Sequence, residues 1–212
     1  MSIEQIPDRR QRRHARKRAD LIAAAWDLAR EVGLAGMSQR ALADKVDLAQ
    51  PSLYSYFSSK NDLYDALFAD AYETLLARLD TWQLPAEPRD GLKEACRQVM
   101  AFFLEDPVRY QLLFQRTLPG FEPSAGSYEL AVRYYEWHRA NLERAGVHGQ
   151  VYMDIFVALQ SGLAGPQLSN EPGGDRWARH LDWVIDMFLR EVDRRQQDDA
   201  RDDEPAQGRS RL

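Results

Sequence analysis

The residues from Ser38 to Lys60, SQRALADKVDLAQPSLYSYFSSK, leave little choice of fold. Ala41, Leu42 and Val46 put apolar groups on one side of a first short helix, and Asp47-Leu48 breaks it. Leu53 and Phe57, four apart, mark one face of a second short helix. Pro51 is compatible with that helix only in its first turn, where a missing N–H is no loss, so the helix starts at Ala49 or Gln50. Its other face holds Gln50, Ser52, Tyr54, Ser55 and Tyr56, small, amide or phenolic groups suited to a groove of donors and acceptors or to phosphate oxygens. Ser59 then caps a third helix, with Asp62 three residues on as its capping-box partner. Lys60, in that first turn, opposes the helix dipole, and a phosphate contact explains it better than stability does.

This string resembles the helix-turn-helix of the tetracycline-repressor (TetR) family of transcriptional regulators. The matching places hold Ser38, Leu42, Ala43, Val46, Asp47, Leu48, Ala49, Pro51, Leu53, Tyr54, Tyr56, Phe57, Ser59, Lys60 and Leu63, and the specific core Leu-Tyr-x-x-Phe-x-x-Lys is intact. Three positions depart. Asp47 stands where the family has a turn glycine, and Asp tolerates the left-handed conformation better than most residues. Ala49 replaces the serine that would cap the recognition helix, at ~1 kcal/mol. Pro51 replaces a glycine that lies near DNA. These changes bear on operator sequence rather than fold. The close match covers about residues 16–68; beyond it the likeness is one of helical pattern.

Charge is distributed to suit such a protein. The net value is −5, yet residues 1–60 hold eleven Lys/Arg against seven Asp/Glu, and the remainder seventeen against twenty-six. A basic DNA-binding end on an acidic body has this asymmetry, as does a solvated helix face with an acidic tail. Residues 1–15 form a basic arm expected to be disordered. Its Arg9, Arg10, Arg12 and Arg13 are too charged to bury, and either follow phosphates, enter a minor groove, or simply solubilise the chain.

The rest reads as helices separated by Pro/Gly breaks. The first spans about 16–32, with Ile22, Ala25, Trp26, Ala29 and Val32 on its core face and Gly33 as C-cap. Ser38 caps the second, placing Gln39 and Arg40 where N–H groups favour a phosphate. The fourth runs to about Thr81, and Pro85 and Pro88 close it. Further patterns cover about 89–105, 107–116, 124–145, 148–164 and 174–193, with Gly162 to Gly174 as a loop and residues 196–212 as a disordered tail. No stretch sustains period-2 alternation. The expected architecture is all-α: a three-helix DNA-binding domain over 16–62 and a helical ligand-binding and dimerisation domain over 63–195.

Catalytic constellations are missing. His14, His138, His148 and His180 show no metal spacing, the lone Cys96 allows no CxxC site, and no phosphate-binding glycine motif or nucleophile elbow occurs. No enzyme, cofactor or metal is expected. No apolar run reaches ~18 residues, and a cytoplasmic location is expected.

The middle helices are rich in aromatics, as mostly apolar small-molecule sites are. The family resemblance implies an inducer pocket there, with Trp82, Tyr110, Phe114, Tyr134, His138, Met153 and Phe156 as candidates for an apolar or aromatic effector. It also implies a dimer through the last two helices, and Tyr152, Ile155, Leu159, Trp177, Leu181, Ile185 and Phe188 are the candidate interface residues. The expected function is a ligand-released repressor that binds palindromic operator DNA as a homodimer. DNA contacts are assigned to Gln39, Arg40, Gln50, Pro51, Ser52, Tyr54, Tyr56 and Lys60. A ligand-dependent activator and a helical protein-interaction module on the same fold are the alternatives.

Overall fold

A computed structural model describes residues 9–202, all of whose regular structure is helical. Nine α-helices follow in order among the described residues: α1 (Arg9–Gly36), α2 (Gln39–Lys45), α3 (Gln50–Leu53), α4 (Lys60–Leu79), α5 (Pro88–Glu105), α6 (Pro107–Phe114), α7 (Ala125–Arg144), α8 (Gln150–Asn170) and α9 (Leu181–Asp202). A 3-10 turn over Ala178–His180 precedes α9. The chain divides into two compact units. One holds the described residues through Thr81 together with Asp106–Tyr135; the other holds Trp82–Glu105 and the described residues from Glu136 onward. In this division α4, α6 and the start of α7 go with the helix-turn-helix.

In the first unit, Leu21, Ala25 and Ala29 of α1, Leu42 of α2, Leu53, Phe57, and Leu63 and Leu67 of α4 are fully buried. Each large side chain withdrawn from water in this way contributes roughly 1.5–3 kcal/mol. Polar groups close the gaps between helices: the Trp26 indole donates to Asp70 (2.8 Å) and the Tyr64 hydroxyl to the Leu34 carbonyl (2.6 Å). Gly33, with φ +74°, interrupts α1 and turns its last residues so that Leu34 enters the core. The helix begins at Arg9, so residues 9–15, expected to be disordered, are helical; residues 1–8 lie outside the described residues.

In the second unit, α5 and α9 are laced by ion pairs. Arg89, Lys93 and Arg97 of α5 meet Asp193, Asp186 and Asp182 of α9 at 2.6, 2.6 and 2.7 Å. A four-residue spacing on α5 sets the three cations in a row along one helix face. Cys96, on the buried side of α5, has its thiol pushed up to about 12 by burial.

Three expectations fail here. The loop expected from 162 to 174 is mostly helix, because α8 continues to Asn170 through Pro166. The carbonyl that Pro166 leaves without its helical donor belongs to Gly162, which is exposed to water. Buried Gln167 then secures the end: its amide donates to the Glu171 carbonyl (2.6 Å), and its oxygen accepts from the N–H groups of Trp177 (2.8 Å) and Ala178 (3.2 Å). The helix expected from 174 starts only at Leu181, and it extends to Asp202, so residues 196–202 of the expected tail are ordered as helix. Residues 203–212 lie outside the described residues.

Candidate nucleic-acid interface

The helix-turn-helix is assembled by local rules. The Ser38 hydroxyl accepts from the Ala41 N–H (3.1 Å) and caps α2. Asp47 takes φ +51°, the left-handed turn for which the family uses glycine. Ala49 makes no side-chain cap, and Pro51 sits in the first turn of α3 as its geometry demands. The α-helix proper ends at Leu53, shorter than the span expected to Phe57; a tightened turn follows, with the N–H groups of Tyr56 and Phe57 both on the Leu53 carbonyl (2.9 and 3.0 Å). Ser59 caps α4 through the Asp62 N–H (3.0 Å). Asp62 reaches back one residue further than a capping box requires, accepting from the N–H and hydroxyl of Ser58 (2.7 and 3.0 Å).

The outcome is a small helix pinned by buried Leu53 and Phe57, with Gln50, Pro51, Ser52 and Tyr54 exposed. Gln50 donates to the Tyr54 hydroxyl (3.4 Å), a long bond on an open surface. Ser52 offers its hydroxyl while its carbonyl accepts from Ser55 (2.7 Å). Arg40, at the start of α2, is exposed.

Three of the sequence-predicted contacts have other partners. The Gln39 amide donates to the Phe57 carbonyl (2.7 Å), so this side chain ties α2 to the turn after α3. Tyr56 is half-buried and stacks on His14, with ring centroids 4.5 Å apart and planes 18° from parallel. Lys60 donates to the Ala35 carbonyl (3.3 Å) near the end of α1 and lies over the Tyr64 ring (5.3 Å). A cation in the first turn of α4 thus has a structural explanation that the sequence did not offer.

Aromatics of the first unit surround a cavity of ≈ 490 Å³ that opens to solvent. Phe68 and Tyr72 of α4, Leu112 and Leu113 of α6, and Phe121 and Tyr128 form its apolar wall, while Arg116 and Glu122 bring charge to it. Burial first, and the neighbouring Tyr128 second, hold the Tyr72 phenol well above its usual range. Arg116 has φ +45°, a strained left-handed conformation for a residue with a side chain. None of the seven sequence-predicted pocket residues lines this cavity. Phe114 and Tyr134 pack on Tyr72, 6.2 and 6.0 Å from its ring, and Tyr110 packs on Phe114 at 5.5 Å. Trp82, His138, Met153 and Phe156 belong to the second unit. There Trp82 meets Trp137, and His138 packs against Phe156 with its imidazole pushed down to about 4 by burial. The i, i+4 pair Phe68 and Tyr72 on α4 was the available signal, hidden because both also continue the core stripe of that helix.

The expected interface residues divide as well. Leu181, Ile185 and Phe188 are buried inside the second unit, and Phe188 packs on Phe156 and Tyr152. They hold α9 in place and are not available to a partner. Tyr152, Leu159 and Trp177 are half-buried, and Ile155 is exposed. Apolar groups facing outward include Val151 (64% exposed), Ile155 and Val157 on α8, and Trp183 (61%) and Met187 on α9.

Among the described residues no helix is long and apolar enough to cross a membrane, and no group of His, Cys, Asp and Glu is arranged to hold a metal ion. The family model described as bacterial regulatory proteins, tetR family, matches residues 21–67. The tetracycline repressor protein class A of Escherichia coli is 40% identical over 70 residues, 33% of this chain and 31% of that protein. The HTH-type transcriptional regulator Rv1816 of Mycobacterium tuberculosis is 28% identical over 137 residues, 62% of this chain and 51% of that protein. The chain thus spans about half the length of the curated relatives it matches. Among solved structures, the TetR family transcriptional regulator PfmR from Thermus thermophilus shares the fold with a TM-score of 0.60 at 20% identity, over 80% of this chain and 97% of that one. The helix-turn-helix over residues 21–67 is thus of the kind found in the tetR family of bacterial regulatory proteins, and the helical fold that continues from it is shared with a solved regulator of that family.

Proposed function

We propose that this protein is a repressor that binds palindromic operator DNA as a homodimer and releases it when a small apolar or aromatic molecule occupies the α4–α6–α7 cavity. The carrying observation is the α3 surface, where Gln50, Pro51, Ser52 and Tyr54 stand exposed on a buried Leu53–Phe57 base. Gln50 and Ser52 address base edges, and Tyr54 and Tyr56 a phosphate or a thymine methyl. Arg40 and Lys60 address phosphates. Gln39, its amide engaged, contributes through its backbone N–H at the start of α2.

One helix-turn-helix reads only a few base pairs, so a two-fold pair is needed for a full site. Outward apolar groups of α8 and α9, Val151, Ile155, Trp183 and Met187, supply a surface for a second copy. Two helices connect the cavity to the head within one unit. Helix α4 carries Phe68 and Tyr72 at the cavity and Lys60 on the Ala35 carbonyl. Helix α6 carries Leu112 and Leu113 at the cavity and, just before its start, Asp106 on Arg30 of α1 (2.7 Å). A ligand that spreads these helices shifts the heads only by as much as it prefers the spread state.

The test selects a duplex from a random pool with the wild-type protein, then titrates variants by fluorescence anisotropy. Gln50→Ala changes the preferred sequence. Lys60→Ala weakens every sequence alike and flattens the salt slope by about one unit. Equal binding by Lys60→Ala at every salt concentration would remove Lys60 from the interface; failure of the wild type to bind any duplex would sink the whole reading.

A further inference from the structure

The first turns of α1 have no part in the helix-turn-helix core. Arg9, Arg10, Arg12, Arg13 and Arg16 are exposed, and among the described residues none of them forms an ion pair. At 100° per residue, these five and Lys17 fall within an arc of about 160° on one side of the helix. The ridge is held to the recognition segment at two points one turn apart. His14 stacks on Tyr56 at 4.5 Å, and the Arg18 guanidinium lies 5.2 Å from the Phe57 ring. Arg10, Arg13, His14, Arg16, Lys17 and Tyr56 border one open groove of ≈ 620 Å³, with Asp20 also on its wall. With a rise of about 1.5 Å per residue, Arg9 reaches roughly 8 Å past the His14–Tyr56 stack.

We infer that this arginine ridge is a second DNA-contacting element, a rigid helical clamp on the phosphate backbone beside the groove that α3 enters. The inference rests on the DNA-binding reading above and adds to it a site outside the helix-turn-helix. Charge complementarity selects the occupant: a one-sided row of guanidiniums, unpaired among the described residues, matches the regular, dense phosphates of a duplex. A membrane surface is the weaker match, because Ala15 is the sole apolar residue from Arg9 to Arg18, and an interfacial helix needs an apolar face to bury. Because the ridge is helical and His14 is stacked on Tyr56, its backbone is already fixed when the head docks, so less entropy is lost on contact than from an unstructured arm.

The experiment uses the full chain and a 40-base-pair duplex enriched from a random pool. The slope of log K against log[NaCl] is measured for wild type, for the combined Arg9→Ala, Arg10→Ala, Arg12→Ala and Arg13→Ala variant, and for the same four positions changed to Lys. Loss of two to three phosphate contacts makes the slope shallower by about 2–3 units and weakens binding about 10–100-fold near 0.1 M salt, on all sequences alike. The lysine variant keeps the wild-type slope, because a point charge suffices for a phosphate. Thermal melts confirm that the variants fold. An alanine variant with unchanged slope and affinity overturns the clamp while the α3 reading stands. An unchanged slope together with lost binding to phosphatidylserine vesicles overturns it in favour of a membrane surface. A wild type that binds no duplex overturns both.

Discussion

Asp106 joins the start of α6 to α1, and its removal has a cost that the geometry sets. The side chain is 5% exposed. One carboxylate oxygen accepts from the N–H groups of Val108 and Arg109 (3.2 Å each), capping α6. The other accepts from Arg30 Nη2 and Nε (2.7 and 3.1 Å). In Asp106→Ala the lost cap costs about 1 kcal/mol. The lost charge-assisted pair falls at the low end of the usual ~1.5–3 kcal/mol, because Arg30 is 42% exposed and regains water. The sum is about 2–3 kcal/mol, or a fall in Tm of about 5–10 °C for a chain of this size. Asp106→Asn, which retains a capping oxygen but loses the charge, falls about half as far. Calorimetry on the two variants, on Arg30→Ala and on the Asp106→Ala/Arg30→Ala pair completes a cycle, with an expected coupling of at least about 1 kcal/mol. The same variants weaken the influence of a cavity ligand on DNA affinity, since α6 no longer pulls on α1. An Asp106→Ala protein within about 0.5 kcal/mol of wild type, or additive single changes, would refute the reasoning.

Three further outcomes are expected. Asp47→Gly raises stability by up to about 1 kcal/mol in denaturant titrations, since relief of the left-handed strain at φ +51° outweighs the added chain entropy of glycine; a loss of stability contradicts this. Trp183→Glu, on the outward face of α9, yields a folded monomer by analytical ultracentrifugation, whereas Leu181→Glu, on the inward face, unfolds the chain; a dimeric Trp183→Glu protein would place the interface elsewhere. Asp193 is held below the usual carboxylate range by its hydrogen bonds from Arg89, so the stability it adds is full at neutral pH and is lost as the pH falls below about 4 through its depressed value. Asp193→Asn therefore flattens the dependence of Tm on pH in the acid range, and an unchanged slope counts against the ion pair.

Local chemistry made much of the head legible. Ser38 and Ser59 cap helices because a hydroxyl one residue before a helix meets the donors there, whatever surrounds it. Asp47 bends the turn because few other side chains tolerate that conformation, and Pro51 fixes the start of α3 because no other turn accepts it. These are interactions over three or four residues, and the sequence contains both partners side by side.

The positions whose roles stayed hidden have distant partners. Lys60 reaches the carbonyl of Ala35, Gln39 that of Phe57, and Asp106 meets Arg30 across 76 residues; no spacing along the chain announces such pairs. That a proline ends a helix is a local expectation, and it fails at Pro166. Buried Gln167 favours continuing the helix, through three hydrogen bonds to residues beyond its end.

The amino-acid order by itself determined the helical class, the helix-turn-helix and its turn, and the segregation of positive charge toward the first sixty residues, because each follows from neighbours within a turn or two of helix. Only the tertiary structure decided which of two apolar stripes on α9 faces inward, where the aromatic side chains leave a cavity, and that the arginines of the first turns stand in one ordered row against Tyr56. Those outcomes depend on which helices pack together. That choice is made by the summed burial of many side chains far apart in the chain, and no single stretch of sequence carries it.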